Sequence, residues 1–253
     1  MATTTAKMPD GSDIDLAKVA HDLIEHLKAT HKFNTHDKET SKLMDLIAMG
    51  MDFAKGAATE GLEEARKAVL AQAHNELERK AIQFGMDVAK EFGTKGFSST
   101  LPSGTDFKNL FATTIGKEVY LPKVIRDNPL SLMEVGTHEC QHTLQFDDTK
   151  LEFVWFYLAD NSARAQFEAD AYASGMIVYS WLTGVDPMSN IDWAVQNLNS
   201  SYHLRPTDGE YAKVAMKSLF AAWSSGVIMT RSARTAIAWL EANYPQLKGA
   251  VQA

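Results

Sequence analysis

Residues 137–142, with the sequence THECQH, combine two imidazoles and a carboxylate at a spacing that can bind and use a metal ion. On a helix, His138 and His142 are separated by about 400° of rotation, so they lie about 40° apart on one face, one turn from each other. Two imidazoles placed in this way can reach one zinc ion. Glu139 lies about 100° from His138, where its carboxylate can hold a metal-bound water instead of the metal. The pattern predicts His138 and His142 as ligands and Glu139 as a general base.

The chemistry predicted for this motif is the activation of water. Zinc lowers the pKa of a bound water to about 7, and a carboxylate beside it can take the proton and pass it to a leaving amine. The competing interpretation is that a soluble helix contains these residues by chance. Composition alone produces the pattern in roughly one or two chains in a hundred, so the motif needs support from its surroundings.

A third ligand is expected on a following helix that packs beside the motif. The segment NSARAQFEADAYASG (161–175) offers Glu168 and Asp170, which differ by about 200° on a helix, so only one of them can face the metal. Glu168 shares a face with Arg164 and Tyr172, which would give a ligand carboxylate a neighbouring cation and hydroxyl. The alternative for this acidic pair is a solvated helix face, but the neighbouring residues are largely apolar and a buried acid needs a partner. We predict Glu168 as the third ligand.

The motif lies in a segment with clear signals for secondary structure. Asn128 and Pro129 supply an N-cap and a first helical residue for a helix that is expected to run to about Gln145. The one convincing strand signal comes before it, at about 117–121 in IGKEVYLP, and ends at Pro122.

Helical patterns dominate the rest of the chain, so the sequence predicts an α+β protein that is mainly α. Residues 1–11 are expected to form a disordered tail, 12–93 a helical hairpin or bundle, and 94–253 the domain that carries the motif. The first helix is predicted from Asp13, capped by Ser12, with a buried face of Leu16, Val19, Ala20, Leu23, Ile24 and Leu27. The other predicted helices cover residues 36–55, 59–92, 151–158, 162–182, 191–198, 208–223 and 230–243, with a loop at Asp147 and Asp148.

The order IGKEVYLP, HECQHTLQ and FEADAYASG, within about residues 107–183, resembles the minimal zincin-like domain of gluzincin-type metallopeptidases. In that family an edge strand, an HExxH helix and a glutamate-bearing helix surround one zinc ion. The resemblance implies one zinc per chain held by His138, His142 and Glu168, with Glu139 as general base. It also implies that the 117–121 strand is the edge with which a peptide substrate would pair. Many gluzincins carry Glu-x-x-x-Asp on the second helix, and Tyr172 stands in that Asp position here.

Peptide hydrolysis also needs a donor for the developing oxyanion. Tyr202 and His203, in the polar segment SSYHLRPTDGEY, are the candidates, because the run from His203 to Pro206 resembles the later His-x-x-Pro segment of zincins. An ordinary loop histidine is the alternative interpretation. Tyr172, one turn beyond the predicted ligand, is a third option for this role.

The composition narrows the classes of function. The 253 residues carry a net charge of -7, which argues against general binding to nucleic acid or to an anionic membrane. Cys140 is the single cysteine, so no disulfide forms within the chain. The N-terminal residues lack the apolar core of a signal peptide, and no apolar run is long enough to span a bilayer. The sequence therefore predicts a soluble, cytoplasmic protein.

Two classes of function fit these observations. The first is a zinc metallopeptidase that acts on a peptide or protein substrate, with the helices of residues 12–93 as a surface for a dedicated protein partner. The second is a scaffold or interaction protein, for example of a phage or secretion particle, in which the site is vestigial or regulatory. An intact Glu139 favours the enzyme, because a scaffold has no need for this residue.

Overall fold

The computed structural model describes residues 5–7, 12–45, 47–48, 52, 103–149, 160–201 and 204–252. Within these residues the protein is α+β and mainly α, as predicted, with two small sheets beside a group of packed helices. The chain divides into two compact units, one of Met1–Thr35 with Ala112–Ala253 and one of His36–Phe111. In this division the first helix belongs to the unit that contains the motif, whereas the predicted division at residue 93 placed it in the preceding helical region.

Most of the predicted helices within the described residues are present. The helices are α1 (Leu16–His31), α2 (Gly104–Leu110), α3 (Lys123–Arg126), α4 (Pro129–Thr149), α5 (Asn161–Thr183), α6 (Ile191–Ser201), α7 (Pro206–Ser224) and α8 (Arg231–Asn243), of which the short α2 and α3 were not predicted. The helices predicted at 59–92 and 151–158 lie outside the described residues.

Local hydrogen bonds explain where these helices begin and end. Asn128 caps α4 as predicted, since its side chain accepts a hydrogen bond from the backbone N–H of Ser131 at 3.2 Å. The cap of α1 is Asp15 and not Ser12, because the Asp15 carboxylate accepts bonds from two backbone N–H groups of the first turn. Asp147 and Asp148, predicted to lie in a loop, belong to the last turns of α4.

The strands are short. They are β1 (Thr5–Lys7), β2 (Asp13–Asp15), β3 (Asn34–Asp37), β4 (Thr113–Ile115) and β5 (Glu118–Leu121). β1 and β2 form an antiparallel pair, so three residues of the predicted tail are in a strand. β3 occupies the start of the predicted 36–55 helix, and helical structure begins at residue 42.

β5 confirms the predicted strand but not its predicted place at an edge. The order in the three-stranded sheet is β3-β5-β4, so β5 lies between two neighbours and has no free edge for a substrate. β4 and β5 are joined by a two-residue turn, Gly116 and Lys117, in which Gly116 has a φ of 63°. A glycine at the first position of such a turn accommodates this φ without strain. Among the described residues, β4 forms the edge of the sheet nearest to α4.

The core of the larger unit lies between α4 and the helices around it. α4 packs against α1, α5 and α8, and α5 also packs against α7. The predicted buried face of α1 is confirmed, since all six of its predicted residues are buried. The largest fully buried side chains of this unit include Leu23, Met133, Ile177, Trp181, Leu182 and Phe220.

α4 and α5 approach each other closely at a glycine. A Cβ atom added to Gly175 would lie 2.8 Å from the backbone oxygen of Glu134, closer than real Cβ contacts come. Gly136, on α4, faces α1 instead, and a Cβ atom there would meet the tip of the Ile24 side chain. The first obstacle is backbone that cannot move aside, whereas the second is a flexible side chain.

We expect Gly175→Ala to lower the free energy of unfolding by about 1–3 kcal/mol, because the two helices must move apart. Gly136→Ala is the matched control. Its cost should be smaller, since Ile24 can change rotamer and alanine favours a helix over glycine by about 1 kcal/mol. Urea unfolding of both variants measures the difference. An equal or larger loss for Gly136→Ala would show that the contact at Gly175 does not limit the approach of the helices.

Candidate metal centre

α4 and α5 run antiparallel and bring the three predicted ligands together. Glu168 of α5 lies opposite His138 and His142 of α4, while Gly175 lies opposite Glu134 one to two turns away. All three ligand side chains are largely buried, and Glu168 has no exposed surface. The close approach at Gly175 therefore holds a carboxylate of one helix against two imidazoles of the other.

The spacing of the donor atoms fits a zinc ion. The two Nε2 atoms of His138 and His142 are 3.1 Å apart. The Glu168 carboxylate lies 3.6 Å from Nε2 of His138 and 3.5 Å from Nε2 of His142. Ligand atoms about 2.0–2.2 Å from zinc in a tetrahedron stand about 3.3–3.6 Å from each other, so the two carboxylate distances fall in this range and the two nitrogens are slightly closer. Two nitrogens and one carboxylate oxygen are also the ligand types that catalytic zinc sites use, with a fourth position left for water or substrate.

A glutamine orients one of these imidazoles. Nδ1 of His142 lies 2.8 Å from Oε1 of Gln145, and Nε2 of Gln145 donates a hydrogen bond to the backbone oxygen of Phe167 at 2.9 Å. Because the amide nitrogen is used by Phe167, the amide oxygen must accept from His142. Nδ1 of His142 therefore carries its proton, and Nε2 presents a lone pair to the metal position.

The carboxylate of Glu139 lies beside the ligands without joining them. Its Oε1 is 3.9 Å from Nε2 of His138, and its Oε2 accepts a hydrogen bond of 2.6 Å from the hydroxyl of Thr114 on β4. Only 6% of Glu139 is exposed. The edge strand thus fixes one oxygen of Glu139 and leaves the other on the side of the ligands, which is the position a general base needs.

Burial and charge act differently on the two imidazoles. Burial lowers the pKa of His138, and the neighbouring His142 lowers it further. Burial also lowers the pKa of His142, but Glu168, Glu139 and the hydrogen bond to Gln145 together more than offset this and raise that pKa to about 9. In the metal-free protein His142, and not His138, therefore carries the additional proton of an imidazolium. A metal ion must displace this proton in order to bind.

The other predicted residues lie near this centre or outside the described residues. Asp170 accepts a hydrogen bond of 2.9 Å from Gln166 and is not one of the three residues whose donor atoms cluster. Tyr172 packs edge-on against His138, with 4.9 Å between the ring centroids. Tyr202 and His203, predicted as donors to the oxyanion, lie outside the described residues.

Cys140, next to Glu139 in the sequence, takes no part in the centre. Its side chain is fully buried among the apolar residues of the core. Burial raises the pKa of the thiol to about 12, so it is neutral and weakly reactive in the folded protein.

Two further residues of the centre, Gln145 and Thr114, were not among the predicted site residues. Gln145 is three residues after His142, a spacing at which side chains meet on a helix, so a search for partners of the ligands would have found it. Thr114 reaches Glu139 only because the strand pairing places β4 beside α4. No local pattern in the sequence indicates the contact between Thr114 and Glu139.

No protein-family model, curated protein or solved structure matches this chain. Within the described residues, none of the helices has the length and apolar character needed to cross a membrane. The interpretation of the centre therefore depends on its donor atoms, their spacing and the groups that orient them.

The purified protein is expected to hold about one zinc ion per chain. Glu168→Gln should lose most of it, because an amide is a poor ligand, whereas the matched change Asp170→Asn should keep it. Metal analysis after dialysis, with thermal unfolding as a check on the fold, distinguishes the two. Full zinc in Glu168→Gln, or its loss in Asp170→Asn, would show that the third ligand has been assigned to the wrong acid.

Gln145→Leu should weaken zinc binding by about 10- to 100-fold, because His142 would no longer be held in the correct tautomer and orientation. Gln141→Leu is the matched control, since Gln141 is one turn earlier on α4, equally buried, and accepts its hydrogen bonds from Ser232 on α8. Competition with a chelator of known affinity measures both. Equal losses in the two variants would mean that Gln145 acts only through the stability of the helix.

Proposed function

We propose that this protein is a zinc-dependent metallopeptidase that hydrolyses peptide bonds with Glu139 as general base. The observation that supports this best is the placement of Glu139, a buried carboxylate that lies 3.9 Å from a ligand nitrogen while Thr114 holds its other oxygen. A site that only stored or sensed a metal would need His138, His142 and Glu168, but it would not need a second carboxylate at this position.

The charges of the centre also support a divalent cation. Glu139 and Glu168 are both buried, and two buried carboxylates without compensation are costly. A divalent ion would neutralise the pair when both histidines are neutral. A metal-free centre has to keep a proton on His142 instead, which neutralises only one of the two carboxylates. The donor set is therefore better matched in charge to a bound zinc ion than to an internal ion pair.

When bound, zinc would lower the pKa of a water molecule to about 7 and polarise the carbonyl group of the substrate. Glu139 then takes the proton of the attacking water on the carboxylate oxygen that faces His138, and Thr114 keeps that carboxylate from rotating away. The same oxygen delivers the proton to the nitrogen of the leaving amine. An extended substrate would pair with β4, the edge strand that also carries Thr114, which places the bond to be cut beside Glu139.

Glu139→Gln tests this function. The variant should keep its zinc and its stability, because glutamine is nearly isosteric, but its rate of peptide hydrolysis should fall by about 10²- to 10⁴-fold. The assay follows the cleavage of an unfolded protein substrate by mass spectrometry, with zinc content measured on the same samples.

Thr114→Val provides a graded comparison, since it removes the hydroxyl and keeps the shape of the side chain. It should retain zinc and show an intermediate rate, whereas Thr114→Ser should remain close to the wild type. If wild type and Glu139→Gln cleave equally or not at all with zinc in place, the peptidase proposal is wrong. The centre would then be that of a metal-binding scaffold or interaction protein.

A further inference from the structure

Three rings form a line from the metal centre to the surface of the same unit. The Tyr172 ring lies 4.9 Å from the His138 ring, and the Trp193 ring lies 6.4 Å from the Tyr172 ring, both at steep angles. Exposure increases along this line, from 12% for the His138 side chain, through the half-buried Tyr172, to 57% for Trp193. The line thus connects the buried ligands to an aromatic surface in contact with solvent.

Trp193 is not needed by the core of its own helix. The buried face of α6 consists of Ile191, Ala194, Val195 and Leu198. Trp193 is on another side of the helix, and more than half of its surface is accessible. Asp192, its neighbour in the sequence, forms an ion pair of 2.6 Å with Lys213, which compensates the Asp192 charge. Trp193 therefore presents a large aromatic surface beside Tyr172 that another molecule can cover.

The distance from the centre limits what this surface can touch. The two centroid separations place Trp193 at most about 11 Å from His138. An extended peptide advances about 3.3 Å per residue, so Trp193 lies within about three residues of a bond that is cut beside His138. A side chain of the substrate at one of those positions would meet Tyr172 and Trp193 together.

We infer that Tyr172 and Trp193 form the wall that receives a large apolar side chain of the substrate. The preferred substrates would be peptides with an aromatic or long aliphatic residue within three positions of the cleaved bond. This inference rests on the proposed peptidase function and adds the substrate class. Aromatic surfaces pair with aromatic or aliphatic side chains through burial and edge-to-face contacts, which favours them over small polar ones on the order of tenfold.

The test uses quenched-fluorescence decapeptides that are identical except for one phenylalanine, which is moved through the six central positions of an otherwise alanine- and serine-based sequence. Binding is measured to zinc-loaded Glu139→Gln protein, so that affinity is read without turnover, and cleavage is measured with the protein carrying Glu139. Each measurement is repeated with Trp193→Ala, Trp193→Phe and Val227→Ala. Val227 is a similarly exposed apolar residue, at 55%, and serves as the control.

With Trp193 present, one position should show phenylalanine preferred over alanine by about tenfold in affinity. Trp193→Ala should remove this preference, while Trp193→Phe and Val227→Ala should keep it, and zinc content should not change. If the protein cleaves the peptides but shows no such preference, or keeps it in Trp193→Ala, this inference is wrong and the peptidase function stands. If none of the peptides or unfolded proteins is cleaved in a way that depends on Glu139, the proposed function fails, and this inference fails with it.

Discussion

The buried carboxylate of Glu168 is the constraint on which the rest of the larger unit depends. A charged group with no exposed surface costs several kcal/mol unless partners of opposite charge or hydrogen-bond donors surround it. The imidazoles of α4 lie 3.5 and 3.6 Å from it, and they can do so only because α4 and α5 approach closely at Gly175. The close contact between α4 and α5 therefore also sets the geometry of the centre.

The buried polar side chains of α4 form hydrogen bonds with several neighbouring elements. Glu139 is held by β4, Gln145 by α5 and Gln141 by α8, and each of these contacts is largely buried. A polar helix in the middle of a core is stable only if every such group finds its partner. The same contacts thus hold together the unit and the centre. When a site forms only with the fold, metal binding and folding are coupled.

The helices and the grouping of His138, His142 and Glu168 could be predicted from the sequence because their signals are local. The apolar face of α1, the cap at Asn128 and the one-turn spacing of His138 and His142 are all set by the 3.6-residue period. The choice of Glu168 over Asp170 came from the same helical geometry, and the structure groups Glu168 with the histidines.

The sheet could not be predicted in the same way. Strands of three or four residues are too short to show an alternating pattern, and β5, which is no longer than β3, could be predicted because Pro122 marks its end. Whether β5 is an edge or a central strand depends on its pairing with β3, which is distant in the sequence. The role of Thr114 depends on β4 lying beside α4, so it became visible only with the fold.

Chemical modification of Cys140 can report how often the core opens. The chain's single thiol lies on the helix that carries the ligands, fully buried and neutral, so reagents in solution can modify it only when that helix separates from its neighbours. The rate of modification under native conditions then measures how often the core opens. A ligand that binds the folded unit in preference to the opened one slows this reaction.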